Sequence, residues 1–94
     1  MLYSLQIRAA RAALKMTITQ VATLTGLSYR TIQVLESGDI SIEKANLQTI
    51  KSIKRIYEAK GIKFVFSKEG EDSMEGIGVR YYPSLSLENK KEDD

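Results

Sequence analysis

A mostly α protein, four helices followed by a C-terminal β-hairpin, is what this sequence predicts. Three observations lead there. Apolar residues recur at spacings of three and four through roughly the first sixty positions, the signature of one-sided helices. Serine, threonine and glycine punctuate that stretch at helix-length intervals, where caps and stops belong. Beyond Gly61 the pattern changes to two β-branched and aromatic runs separated by a polar segment. A chain of 94 residues has room for one core, so helices (1–61) and hairpin (62–83) are read as parts of one domain. Residues 84–94 have few apolar groups and end in charges, and are expected to form a disordered tail.

Taken in order, Ser4 can cap a first helix in which Ile7, Ala10, Ala13 and Leu14 form one apolar stripe. Arg8 and Lys15 are then expected to point outward. Thr17 to Gln20 fits a capping box: Thr17 accepts from the third helical amide while Gln20 reaches back to the Thr17 amide. The second helix so begun turns Ile18, Val21 and Ala22 inward and stops at Gly26. Only two residues later Ser28 can cap a third helix, Tyr29 to about Glu36, which Gly38 can end. Ile32 and Leu35 make its apolar side, with Leu27 packing just ahead; Tyr29, Arg30, Gln33 and Ser37 fall on the opposite side.

After a connection at Asp39 to Ala45, Asn46 can cap a fourth helix carrying Leu47, Ile50, Ile53, Ile56 and Tyr57 inward and Lys51, Lys54 and Arg55 outward, and Gly61 ends it. Ile62 to Phe66 and Ile77 to Tyr82 are the two strands, joined by a loose acidic loop, and Pro83 stops the second. There is no internal repeat.

Composition narrows the chemistry. With neither cysteine nor histidine, the chain lacks thiol nucleophiles, disulfides, the common zinc ligand sets and the usual neutral-pH general base. No glycine-rich phosphate loop or carboxylate-metal constellation stands in for them, so neither an enzyme nor a cofactor or metal is expected. No apolar run approaches the ~20 residues of a membrane span. Met1 to Leu14 is basic and free of acid, as transit peptides are, but runs unbroken into the capped helices and is read as part of the fold. Lack of cysteine suits a reducing cytoplasm.

Charge is divided unevenly. Up to Lys63 ten bases face four acids; from Phe64 onward four bases face eight acids. The first two-thirds can therefore approach a polyanion, and the remainder cannot add much phosphate contact.

Two short helices meeting at a tight glycine turn, the second with an exposed polar face, make a helix-turn-helix, a motif whose second helix enters the DNA major groove. Ala22 must be small where the helices cross, Gly26 must tolerate the turn, and Ile32 with Leu35 must anchor the reading helix. Over Ile7 to Lys60 the sequence resembles the phage Cro and repressor family, also called the XRE family. The resemblance lies in Ile7-Arg8-Ala9-Ala10-Arg11, Thr17 to Ala22, Gly26-Leu27-Ser28-Tyr29-Arg30-Thr31-Ile32 and Leu35-Glu36-Ser37-Gly38. Gly61-Ile62-Lys63-Phe64 and Gly78-Val79-Arg80 look like short bacterial members in which a hairpin follows the fourth helix.

The resemblance implies that Ser28, Tyr29, Arg30, Gln33 and Val34 open the recognition helix and face base edges or phosphates. Arg30 and Gln33 are the expected base readers, a guanidinium suiting guanine and an amide adenine. Tyr29 suits a phosphate or thymine methyl, with core packing as the competing reading. Ser37 completes the exposed face. Many members carry glutamine, touching the DNA backbone, where this chain has Ile18; Thr17, Thr19 and the helix-terminal amides must then serve phosphate. Lys44, with Ser41 and Asn46, is a further candidate phosphate contact. Arg11 and Glu36 occupy positions that form an architectural ion pair in the family.

Two functional classes follow. One is a DNA-binding transcriptional regulator, a repressor acting as a cytoplasmic homodimer on double-stranded DNA, with the hairpin or fourth helix supplying the dimer contact. The other is an antitoxin or protein-interaction module whose acidic C-terminal part engages a toxin or co-regulator while the helical part autoregulates its operon; the charge split favours it.

Overall fold

The computed structural model describes residues 2–38, 47–66 and 76–86. In chain order these form α1 (Ser4–Ala13), α2 (Ile18–Thr25), α3 (Tyr29–Ser37), α4 (Leu47–Ala59), β1 (Ile62–Val65), β2 (Gly78–Tyr81) and a single 3-10 turn, Pro83–Leu85. The helices are short and their stability comes from one shared apolar cluster rather than from propensity. Ile7 and Ala10 from α1, Val21 from α2, Ile32 and Leu35 from α3, Ile53 and Tyr57 from α4, and Ile62 and Phe64 from β1 meet there together with Leu2. These are the positions that three- and four-residue spacing selects.

The helix ends show how local chemistry sets the frame. At α1 the cap is Tyr3, not Ser4 as the sequence suggested, and the Gln6 side chain reaches back to accept from the Tyr3 amide at 3.0 Å. The same helix ends with the Met16 amide donating to the Arg11 carbonyl and the Lys15 amide to that of Ala12, at 3.1 and 3.0 Å. This is a Schellman closure, and it forces Lys15 to the left-handed φ of 55° that usually selects glycine. At α2 the expected capping box forms: the Gln20 amide donates to Thr17 Oγ1 and the Thr17 amide to Gln20 Oε1, at 3.1 and 2.8 Å. Gly26 ends α2 at φ 75°, where its missing Cβ relieves the strain. Ser28 caps α3 by accepting from the Thr31 amide. Gly38 follows α3 in an extended conformation, φ −89° and ψ 169°, so it is not the left-handed stop that its identity suggested.

β1 and β2 pair antiparallel, Ile62 opposite Tyr81 and Phe64 opposite Val79, so that Ile62 and Phe64 face the core while Lys63 is exposed. Gly61 makes the junction possible. It sits at φ 95°, its carbonyl accepts from the Tyr82 amide at 2.7 Å, and a Cβ there would overlap the Tyr82 carbonyl. Phe64 meets Tyr57 edge to face, ring centroids 6.4 Å apart. The hairpin is fastened to α1 by Gln6, a fully buried side chain whose Nε2 donates to the Val65 and Gly78 carbonyls, one on each side of the ladder, at 2.9 and 3.0 Å. A two-stranded ribbon is marginal alone; here a helix and a buried amide support it.

Two further expectations are corrected. Leu47 was placed inward on α4 by periodicity but is 65% exposed, because contact between α4 and the core begins only at Ile50, and α4 buries only Ile53 and Tyr57 fully. Residues 84–86, assigned to a tail, instead form the turn after Tyr82, with the Ser86 amide donating to the Pro83 carbonyl at 3.1 Å and Ser86 buried. The connection at Asp39 to Ala45, the Asn46 cap and residues 87–94 lie outside the described residues.

Candidate nucleic-acid interface

The helix α3 has two unlike sides. Ile32, Leu35 and Glu36 are buried, while Tyr29, Arg30, Gln33, Val34 and Ser37 are exposed, Tyr29 at 51% and Val34 at 56%. The spacing of those five brings them onto one solvent-facing side. Core packing of Tyr29 is thereby set aside. None of the Tyr29, Arg30 and Gln33 side chains makes a hydrogen bond or salt bridge with the described residues, although Tyr29 lies near enough to Arg11 to favour its charge. A guanidinium, an amide and a phenol so presented offer donors and acceptors suited to base edges and phosphates, with Val34 beside them as an apolar contact.

The serines and threonines divide by what their hydroxyls already do. Ser28 Oγ accepts from the Thr31 amide at 3.1 Å and lies 2.9 Å from Thr31 Oγ1, so it is first of all a cap. Ser37 Oγ donates to the Val34 carbonyl at 2.8 Å, which leaves it only acceptor capacity toward an incoming group. Thr17 accepts within its capping box but keeps its hydroxyl proton, and Thr19 keeps both functions; both are exposed at the start of α2. The first turns of α2 and α3 contain no acidic residue, so the positive ends of both helix dipoles remain uncompensated there. Lys44, Ser41 and Asn46 lie outside the described residues.

What holds α3 in place comes from α1. Arg11 forms a two-pronged pair with Glu36, Nε to Oε2 and Nη2 to Oε1, both at 2.8 Å, and its Nη1 donates to the Met16 carbonyl at 3.0 Å. The hydrogen bond to Glu36 keeps this guanidinium more firmly protonated than an ordinary arginine, against the opposing effect of burial. Arg8 was expected to point outward and does not. Its Nη1 donates to the Glu36 carbonyl and, at 2.8 Å, to the Gly38 carbonyl, satisfying the end of α3 that the extended Gly38 leaves open. Sequence reasoning missed this role because the acceptors are main-chain carbonyls 28 and 30 positions away, which no side-chain motif marks.

Among the described residues no group of three His, Cys, Asp or Glu is placed to hold a metal ion, and no helix is long and apolar enough to cross a membrane. Among curated proteins and among solved structures, no match to the chain was found. A family described as helix-turn-helix does match, over residues 7–51, from the apolar stripe of α1 through α2 and α3 into α4. That is a little under half of the chain, and it contains every exposed residue of the α3 face. With the fold, the capped tight turn and the Arg11–Glu36 brace in place, residues 7–51 of this chain are a helix-turn-helix region of the Cro and repressor, or XRE, type, which supports a DNA-binding regulator.

Proposed function

We propose that the chain is a sequence-specific transcriptional repressor that binds a near-palindromic site as a homodimer, with α3 in the major groove. The observation that supports this most is the pairing on one helix of an exposed polar face, without hydrogen-bond partners for Arg30 and Gln33 among the described residues, with a back face fixed by Ile32, Leu35 and Glu36. A rigid helix presenting free donors gives up little ordering entropy on binding. Arg30 and Gln33 read bases, while Tyr29, Thr17 and Thr19 contact phosphates or a thymine methyl. Ser28, Val34 and Ser37 border the contact, and Lys44 adds phosphate affinity. Two copies set half-sites one helical turn apart, ~34 Å, with the hairpin or α4 forming the subunit contact. Such a protein acts in the cytoplasm and carries out no catalysis. The division of charge keeps an antitoxin or interaction role as the second reading, distinguished by co-purification with a tightly bound toxin.

The test is binding to DNA upstream of the protein's own gene at several salt concentrations, for wild type, Arg30→Ala and Gln33→Ala. Each substitution is expected to remove about 1–3 kcal/mol of discrimination between that DNA and random sequence, with little change in salt slope. Equal loss on both DNAs would reduce the two residues to phosphate contacts.

A further inference from the structure

The outer face of the hairpin carries a charge arrangement that the fold itself does not use. Strand alternation puts Ile62 and Phe64 in the core and turns Lys63 outward, and the register sets Arg80 directly opposite it. Both are exposed, with Cβ atoms about 5 Å apart as in any facing pair. Like charges so placed repel, and a two-stranded ribbon has little stability of its own to set against them. Neither side chain makes a hydrogen bond or salt bridge with the described residues. One step along the ladder Val65 stands opposite Gly78, where an added Cβ would meet nothing within 4 Å among the described residues, so the valine borders an open apolar step.

These two cations lie on the far side of the molecule from a duplex seated on α3. On α1, Gln6 reaches the hairpin carbonyls, while Arg8, two positions or about 200° further round the helix, reaches the carbonyls that end α3. Hairpin and α3 therefore flank α1 from opposite sides, each with its exposed face turned outward. From this we infer that the outer face of the hairpin docks an acidic segment of a partner protein, one with an apolar side chain beside its carboxylates. The carboxylates lie between Lys63 and Arg80, where charge-assisted contacts replace the repulsion, and the apolar side chain covers Val65 across the step at Gly78. The inference does not depend on which DNA α3 reads.

The test uses the full chain and three pentapeptides with blocked ends: Glu-Glu-Leu-Glu-Glu, Gln-Gln-Leu-Gln-Gln and Lys-Lys-Leu-Lys-Lys. Amide chemical shifts are followed by NMR at low salt, and in a separate titration with a DNA duplex of random sequence. Expected with the glutamate peptide are saturable shifts centred on β1 and β2, weakened about fivefold by ~0.5 M salt, with none from the other two peptides. Lys63→Gln and Arg80→Gln should each weaken the glutamate peptide about threefold without lowering the thermal midpoint, since each also removes a like-charge contact. Lys51→Gln, exposed in the first half of α4, should change nothing. The duplex is expected to shift α2 and α3 and to leave the hairpin alone. No saturable shift with the glutamate peptide, equal binding of the lysine peptide, full affinity in both hairpin variants, or a duplex that moves the Lys63 and Arg80 amides in its place would overturn the inference. So would binding that appears only when Glu69, Glu71, Asp72 and Glu75 are together replaced by their amides, since the pair would then belong to the chain's own acids.

Discussion

The helices α2 and α3 both stop at a glycine, and they stop by different means. At Gly26 the solution is local: the left-handed φ turns the chain, and its amide closes on the Ala22 carbonyl at 3.0 Å. At Gly38 the backbone is extended, and the closing donors come from Arg8, a side chain on another helix. Two occurrences of one residue type therefore hide two kinds of stop, one encoded within five residues and one supplied by tertiary structure. The difference matters for the proposed function, since the end of α3, the helix proposed to read DNA, is fixed only when α1 is docked against it.

The largest effect that would break this arrangement is expected from Arg11→Ala. It leaves the buried Glu36 carboxylate without its partner, at a cost near the low end of the ~3–5 kcal/mol typical of a broken buried pair, because Arg11 keeps some contact with water. Thermal unfolding should fall by more than ~10 °C. A drop of only a degree or two would show that the pair is ornamental. Next comes Arg8→Ala, which opens the Glu36 and Gly38 carbonyls; a loss of about 1.5–3 kcal/mol is expected, with amide hydrogen exchange accelerating in the last turn of α3 and not in α2. Uniform acceleration across both helices would deny the tertiary stop.

Gly26→Ala probes the local stop. Nothing lies within 4 Å of the Cβ it would add, so its cost is backbone strain alone, about 1–2 kcal/mol. Gly38→Ala carries no such strain and is expected to cost less, a ranking that paired urea denaturation curves would check. Smallest, and opposite in sign, is Lys15→Gly. It relieves a left-handed lysine at the end of α1 and should stabilise by about 0.5–1 kcal/mol, read as a higher urea midpoint at unchanged slope.

The same division between local and tertiary explains what the sequence made legible. The Thr17–Gln20 box and the Ser28 cap were readable because donor and acceptor lie three residues apart. The exposed face of α3 was readable because helix geometry converts spacing into direction. Gln6 was not, since a glutamine beside an apolar stripe looks like a surface residue until two strands arrive to occupy its amide. Arg8 was misjudged for the same reason, and Leu47 because periodicity states which side a residue is on and not how far the core extends. A cleft beside α2 had no sequence signal at all: Leu14, Leu24, Lys60 and Tyr81 border it, and only the folded chain brings them together.

The Gln6 clamp also bears on how the protein is made. Its two acceptors lie 59 and 72 positions downstream, beyond the stretch that the family match covers. On the ribosome, the first helix must wait for both strands of the hairpin to emerge before its buried amide is satisfied, so the entropy of closing that long loop is met only then. Assembly of the nascent domain is thus timed by β2, and the helices packed on α1 reach their final rigidity only once that strand is in place.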